Sequence, residues 1–316
     1  MTGFANPTDG RERQSTGMSL YGKIDLHIHS TVSDGSDTPV EIISCVKRAG
    51  IGLFSLTDHD AVKGCGIILE HLEEGDPAFI CGVEFSCKDE MGSYHILGYG
   101  YDPEARGIHD LVAKGHSFRM EKVMSRLDFI KDTFGFSFPE EEIRELLARD
   151  NPGKPHIGNL MVKYGYAQSK EEAIQKYLNR LHIRNKHLRP EEAISGILAS
   201  GGIPVLAHPF FGSGDQFIFG EEMENRLERL TGFGLKGVEA FYFGFSSKLT
   251  KQMLSLSERY QLFVTAGSDY HGKNKLVKIG NTGMTENAVP VPGMQRFLDT
   301  VKICYASDRD YTRDRN

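Results

Sequence analysis

Short apolar runs recur along the chain at residues 23–28, 52–57, 79–85, 94–99, 203–207, 237–241 and 262–266, alternating with amphipathic helical segments. Runs of this length and composition read as buried parallel strands. Between the first two, Thr38 supplies an N-cap, Pro39 the first helical position and Glu41 the acidic partner three residues after the cap. This predicts a helix to about Ala49, stopped by Gly50. Strand, helix, strand, repeated, predicts a parallel α/β barrel or sheet.

The stretch 104–189 breaks the alternation, with helical patterns and no convincing strand. Phe118, Val123, Met124, Leu127 and Ile130 recur at helical spacing within 116–133, and Ser169 with Glu172 predicts another helix start. The expected organisation is therefore a leader at 1–20, a discontinuous barrel at 21–103 and 190–306, a helical insertion subdomain at 104–189, and a tail at 307–316. The leader reads as disordered, with Met18 as a candidate start, and the charged tail likewise.

Composition narrows the function. At 316 residues, with 25% charged and 39% hydrophobic residues, the chain reads as folded and globular. A net charge of -6 gives no general attraction to duplex nucleic acid. The first twenty residues hold no apolar run able to serve as a secretory core or a membrane span. Five cysteines without a C-x-x-C pair fit neither a disulfide framework nor a zinc ribbon, so a reducing cytoplasm is expected, with no membrane partner.

Metal-capable side chains cluster at the predicted strand ends. Asp25, His27 and His29 close the first strand, and strand alternation turns His27 and His29 to one side. Asp34 follows in the adjoining loop, and Asp58-His59-Asp60 ends the second strand. Glu84 ends the third strand, His95 lies in the fourth, His208 ends a later one, and Asp269 and His271 end the last. One histidine alone is more often packed or solvated than ligating. Their recurrence in apolar surroundings is the signal, because unpaired burial of so many polar groups is costly. Imidazoles and carboxylates together suit Zn, Mn or Fe, and paired ions are a recurring apparatus of phosphoester cleavage. Asp58 is a candidate for orienting an imidazole rather than ligating.

Asp25-Leu26-His27-Ile28-His29-Ser30, Thr57-Asp58-His59-Asp60, Gly82-Val83-Glu84, His95-Ile96-Leu97-Gly98-Tyr99, Ala207-His208-Pro209 and Gly267-Ser268-Asp269-Tyr270-His271 together resemble the PHP (polymerase and histidinol phosphatase) family. The resemblance spans nearly all of residues 23–272 and fills every ligand position the family uses. It implies a distorted (β/α)7 barrel and two or three divalent ions. His27, His29, Glu84 and Asp269 would hold one ion, Glu84, His95 and His208 a second, and Asp34, His59 and His271 a third. It further implies attack on phosphorus by a metal-bound hydroxide.

Within the family, the His95 motif, the helical insertion and the Ala207-His208-Pro209 motif are most similar to the branch of 3′,5′-nucleoside bisphosphate phosphatases and a 5′-to-3′ exoribonuclease. A small phosphorylated nucleotide is the expected substrate. Trimming of short RNA or DNA ends, hydrolysis of histidinol phosphate, and a non-catalytic accessory role are the alternatives. Arg119, Lys122 and Arg126 share a predicted helical face and are candidate phosphate contacts, as are Lys154 and His156. The branch commonly carries arginine where Lys154 and Asn159 stand, which leaves the substrate preference open.

Overall fold

The computed structural model describes residues 21–149, 151–181, 186–212, 216–284 and 291–309. The expected leader and residues 310–316 of the expected tail lie outside the described residues, whereas Ala306–Arg309 forms a short 3-10 turn.

Seven strands follow one another around a single sheet in sequence order. They are β1 (Lys23–Ile28), β2 (Ile51–Leu56), β3 (Ala78–Asp89), β4 (Gly92–Tyr99), β5 (Ile203–Leu206), β6 (Gly237–Tyr242) and β7 (Phe263–Gly267). The sheet nearly closes into a barrel: His29 N–H donates to Tyr270 O at 2.8 Å, bringing the end of β1 beside the chain leaving β7. Helices α1 (Pro39–Arg48) and α2 (Lys63–His71) follow β1 and β2. In α1, Thr38 accepts from Glu41 N–H while the Glu41 carboxylate accepts from Thr38 N–H, the reciprocal box expected from the sequence. Gly50, at φ +67, turns the chain out of the helix. Ile42, Ile43 and Val46 of α1 are buried in the barrel core.

The strands are not all parallel as expected. β4 runs antiparallel to both β3 and β5. Asp89 pairs with Gly92, so only Glu90 and Met91 connect β3 to β4, far too few residues for the crossover that a parallel neighbour requires. Hence β4 presents its first half, including His95, on the face where the parallel strands present their C-terminal ends.

After β4 the chain is helical: α3 (Arg106–Phe134), α4 (Glu140–Leu147), α5 (Lys154–Lys163) and α6 (Lys170–Glu172), the last running on into π-helical Ala173–Tyr177 and 3-10 Leu178–Arg180. Val123, Leu127 and Ile130 of α3 form a second apolar cluster with Leu146, Ile157, Met161, Ala173 and Leu178. Two residues of the predicted α3 face depart from that pattern. Met124 is 40% exposed, and Phe118 packs on the barrel core instead. Helices α7 (Pro190–Ala199), α8 (Glu221–Gly232), α9 (Ser247–Arg259) and α10 (Pro292–Thr300) complete the outer layer. No described helix is long and apolar enough to cross a membrane.

Candidate metal centre

The strand pleat turns His27 and His29 to one side of β1, where both are fully buried. Their Nε2 atoms lie 3.3 and 3.2 Å from Glu84 Oε2, and 3.6 and 3.5 Å from Asp269 Oδ1. Glu84 is the hub. Its Oε2 is also 3.1 Å from His59 Nδ1, while Oε1 is 2.9 Å from His95 Nδ1 and 3.4 Å from His208 Nε2. Asp34 Oδ1 stands 3.2 Å from His271 Nε2 and 3.7 Å from His29 Nδ1. Thus all the expected ligand residues meet at one end of the barrel. Potential donor atoms fall within 4.8 Å of one another in the groups His27, His29, Asp269; His59, Glu84, His95; and His29, Asp34, His59, His271.

This convergence leaves polar atoms unpaired. His27 Nε2, His29 Nε2, His59 Nδ1 and His208 Nδ1 are buried without a hydrogen-bond partner. Each such atom costs about 1–3 kcal/mol if nothing occupies the space it faces. Burial pushes the His59 imidazole down to about 3, keeping it neutral with a lone pair to offer. Burial alone would raise the Glu84 carboxyl, but His59, His95 and His27 outweigh it and hold Glu84 well below the carboxylate range. The carboxylates outweigh burial at three other rings and push them up, Glu239 and Glu84 at His27, Glu84 at His95 and Asp34 at His271. A bound ion takes the place of those protons, and imidazoles with carboxylates form a donor set that fits divalent cations.

Residues 25–188 match the family described as PHP domain. The chain belongs to the PHP domain family. Phosphoribosyl 1,2-cyclic phosphate 1,2-diphosphodiesterase of Eggerthella lenta is 29% identical over 260 residues, covering 79% of this chain and 94% of the relative. A 5'-3' exoribonuclease of Haemophilus influenzae is 24% identical over 274 residues, 85% of this chain and 97% of the relative. A 3',5'-nucleoside bisphosphate phosphatase of Chromobacterium violaceum is 26% identical over 278 residues, 85% and 93% of the two chains. A solved Bifidobacterium adolescentis protein described as a metal-dependent phosphoesterase shares the fold at 24% identity and TM-score 0.71, covering 88% of this chain and 96% of that one. The chain is accordingly a PHP-family phosphoesterase, a hydrolase.

Several residues position the PHP centre without having stood out in the sequence. Glu239, fully buried in β6, reaches His27 Nδ1 at 2.9 Å through Oε1 and accepts from His208 N–H at 2.8 Å through Oε2. Its one signal was a carboxylate inside an apolar strand. Tyr242 donates to Asp269 Oδ2 at 2.9 Å, and Lys275 pairs with the same oxygen. Asp58, expected as an orienter of an imidazole, makes its direct bonds to the loop after β1. It accepts from Ser30 N–H at 2.8 Å, Ser30 Oγ at 2.7 Å and Ser33 Oγ at 2.6 Å, and so fixes the loop after β1. Its influence on His29 passes through Ser33, whose Oγ is 3.5 Å from His29 Nδ1. Of the four described non-glycine residues with positive φ, three lie here: Asp60 at 50°, His208 at 28° and Asp269 at 56°. Strain of this kind persists where the surrounding structure over-determines it, which is typical of functional sites.

Two cavities open from the PHP centre. The larger, about 780 Å³, is bounded by His95, His208, Asp269 and Tyr242 on the barrel and by Arg149, Asn159 and Lys170 from the helices. The smaller, about 310 Å³, meets the cluster at Asp34 and His59 and is lined by Arg119, Lys122, Arg126, Lys154, His156 and His187. All the candidate phosphate contacts therefore line one cavity. Arg119 pairs with Asp60 Oδ2 at 2.5 Å, and Lys154 donates to Asn179 Oδ1 at 2.6 Å. Burial, reinforced by the neighbouring Arg119, pushes Lys122 down to about 8. Arg149, which did not stand out in the sequence, lines the larger cavity together with Asn159.

Proposed function

We propose that this enzyme hydrolyses a phosphate monoester of a small nucleotide, converting a 3′,5′-nucleoside bisphosphate to the 5′-monophosphate and phosphate. The observation that carries this reading is the basic cavity beside the centre, whose Lys122 and Arg126 have no carboxylate within ion-pairing distance among the described residues. Cations packed this closely repel one another, and a dianionic phosphate relieves that repulsion. A substrate with two phosphates matches two adjoining sites of different chemistry.

In this reading His27, His29, Glu84 and Asp269 hold one divalent ion, Glu84, His95 and His208 a second, and Asp34, His59 and His271 a third, drawn from manganese, iron or zinc. Such ions supply Lewis acidity that neutralises the phosphate oxygens. Arg119, Lys122, Arg126, Lys154 and His156 hold the phosphate that is not cleaved, and Asp60 fixes the Arg119 guanidinium. The helices from α3 to α6 cover the sugar. The names of the Chromobacterium and Eggerthella relatives, both acting on small phosphorylated compounds, support this class.

Phosphate release with manganese from 3′,5′-adenosine bisphosphate, run beside histidinol phosphate and a 5′-phosphorylated RNA oligomer, tests the reading. Preferential release from the bisphosphate supports it. A ladder of mononucleotides from the oligomer would instead assign exonuclease activity of the kind named for the Haemophilus relative.

A further inference from the structure

The larger cavity has one wall that phosphate chemistry does not explain. Phe211 and Tyr242 line it beside His208, in a cavity whose other contributors are mainly polar. The Phe211 ring centroid lies 5.7 Å from Tyr242, 5.0 Å from Phe217 and 5.7 Å from Phe245, and Tyr242 is 5.6 Å from His208. This aromatic shelf is held firmly. Phe211 N–H donates to His208 O at 2.9 Å, and Ile218 N–H to Phe210 O at 2.8 Å, so the turn carrying Phe211 is tied to the candidate ligand His208. Phe217, at the outer edge of the shelf, is 49% exposed. Phe211 is half-buried and offers the open ring face, while Tyr242, 5% exposed, backs it and borders the cavity.

The two cavities share Asp34, His59 and His156; from there the larger runs past His208 to the shelf, and the smaller runs past Asp60 to Arg119 and Lys122. A volume of about 780 Å³ is also larger than a sugar phosphate needs and lies in the range of pockets for drug-sized ligands.

We propose that Phe211 and Tyr242 form a stacking surface for a planar heteroaromatic ring, the base of the substrate, and so make the enzyme select nucleotides over base-free sugar phosphates. This rests on the small-nucleotide reading of the centre and adds the group that distinguishes nucleotides from other small phosphate esters. Stacking on aromatic side chains tolerates any base, since each has a π-face, so the selection is for a base rather than for one particular base.

The test compares kcat/KM of the manganese-loaded enzyme for adenosine 3′,5′-bisphosphate and for the base-free methyl ribofuranoside 3,5-bisphosphate. Wild type should favour the nucleotide by about tenfold or more. In Phe211→Leu, which keeps apolar bulk but removes the ring, that ratio should fall toward one. Gly244→Val gives a second route: a Cβ there would stand 3.0 Å from Tyr242 Cε1 and 3.4 Å from Phe211 Cζ, pressing on both rings. It too should lower the ratio. A variant that merely loosened the fold would lower both rates and keep the ratio. Equal wild-type values for the two substrates, or variants that keep the wild-type ratio, would overturn the proposal. Turnover of neither compound would overturn the bisphosphate reading instead. The shelf is then judged by calorimetric binding of adenosine 5′-monophosphate against ribose 5-phosphate, where equal affinity overturns it and preference for the nucleotide supports it.

Discussion

His27 and Glu239, 212 residues apart, face each other at 2.9 Å between Nδ1 and Oε1, and the other oxygen of Glu239 accepts from the backbone of His208. One carboxylate therefore fixes an imidazole on β1 and the chain leaving β5. With Nδ1 donating to Glu239, His27 presents its Nε2 lone pair to the cluster.

Glu239→Gln should accordingly weaken manganese binding by about 10–100-fold while the protein stays folded, since outer carboxylates of this kind tune affinity by that range. Isothermal titration of the metal-stripped protein reads this directly. Unchanged affinity would mean that His27 is oriented by its neighbours alone.

The buried, unpaired imidazole atoms predict a metal-dependent stability. Manganese at a hundred times its dissociation constant should stabilise the fold by about 2.7 kcal/mol, and a chelator should remove that gain. Thermal melts with and without chelator check it. His29→Ala and Asp269→Ala should shrink the shift and abolish turnover. Equal melting temperatures and rates in the stripped and loaded enzyme would contradict a metal-dependent reaction.

Arg126→Ala should raise KM for 3′,5′-adenosine bisphosphate by about 10–100-fold, the range expected on losing one hydrogen bond to a charged group. A substrate with a single phosphate, such as p-nitrophenyl phosphate, should be affected far less. An equal effect on both substrates would place Arg126 outside the second phosphate site.

Lys122, pushed by burial down to about 8, predicts a pH effect. Below that pH the ammonium is charged and attracts the second phosphate. As pH rises through about 8 the charge is lost, and KM for the bisphosphate should climb. Lys122→Arg, which stays charged, should flatten the rise. The same shift acts on stability with opposite sense: keeping the buried charge costs folding free energy below pH 8, and the cost fades between there and the ordinary lysine value of about 10.4. A KM profile that is level across this range in the wild type would remove Lys122 from the phosphate site.

Much of this structure could be read directly from residue spacing. Thr38, Pro39, Glu41 and Gly50 encode both ends of α1 through local chemistry, and the side-chain alternation of His27 and His29 holds whatever the sheet topology. The direction of β4 was less legible, because an apolar run carries no polarity of its own; only the shortness of the link at Glu90 and Met91 encodes it. Glu239, Lys275 and Arg149 were missed for a related reason. Each is a single charged residue outside any periodic or spaced motif, and the partners of Glu239 lie on β1 and beyond β5, far away in sequence. Asp58 stood beside a histidine in sequence, but the strand end turns its carboxylate toward Ser30 and Ser33.

The β3–β4 hairpin bears on how the centre comes into being. Glu84 and His95 are joined by a tight turn, so closing their loop costs little chain entropy. His27 and Asp269 approach only when the first and last strands meet. Glu84 and His95 thus come together through a local contact, whereas His27 and Asp269 meet only across the closure of the ring. An ion held by Glu84, His27 and Asp269 together is bound only by the closed barrel, so its occupancy reports closure of the ring.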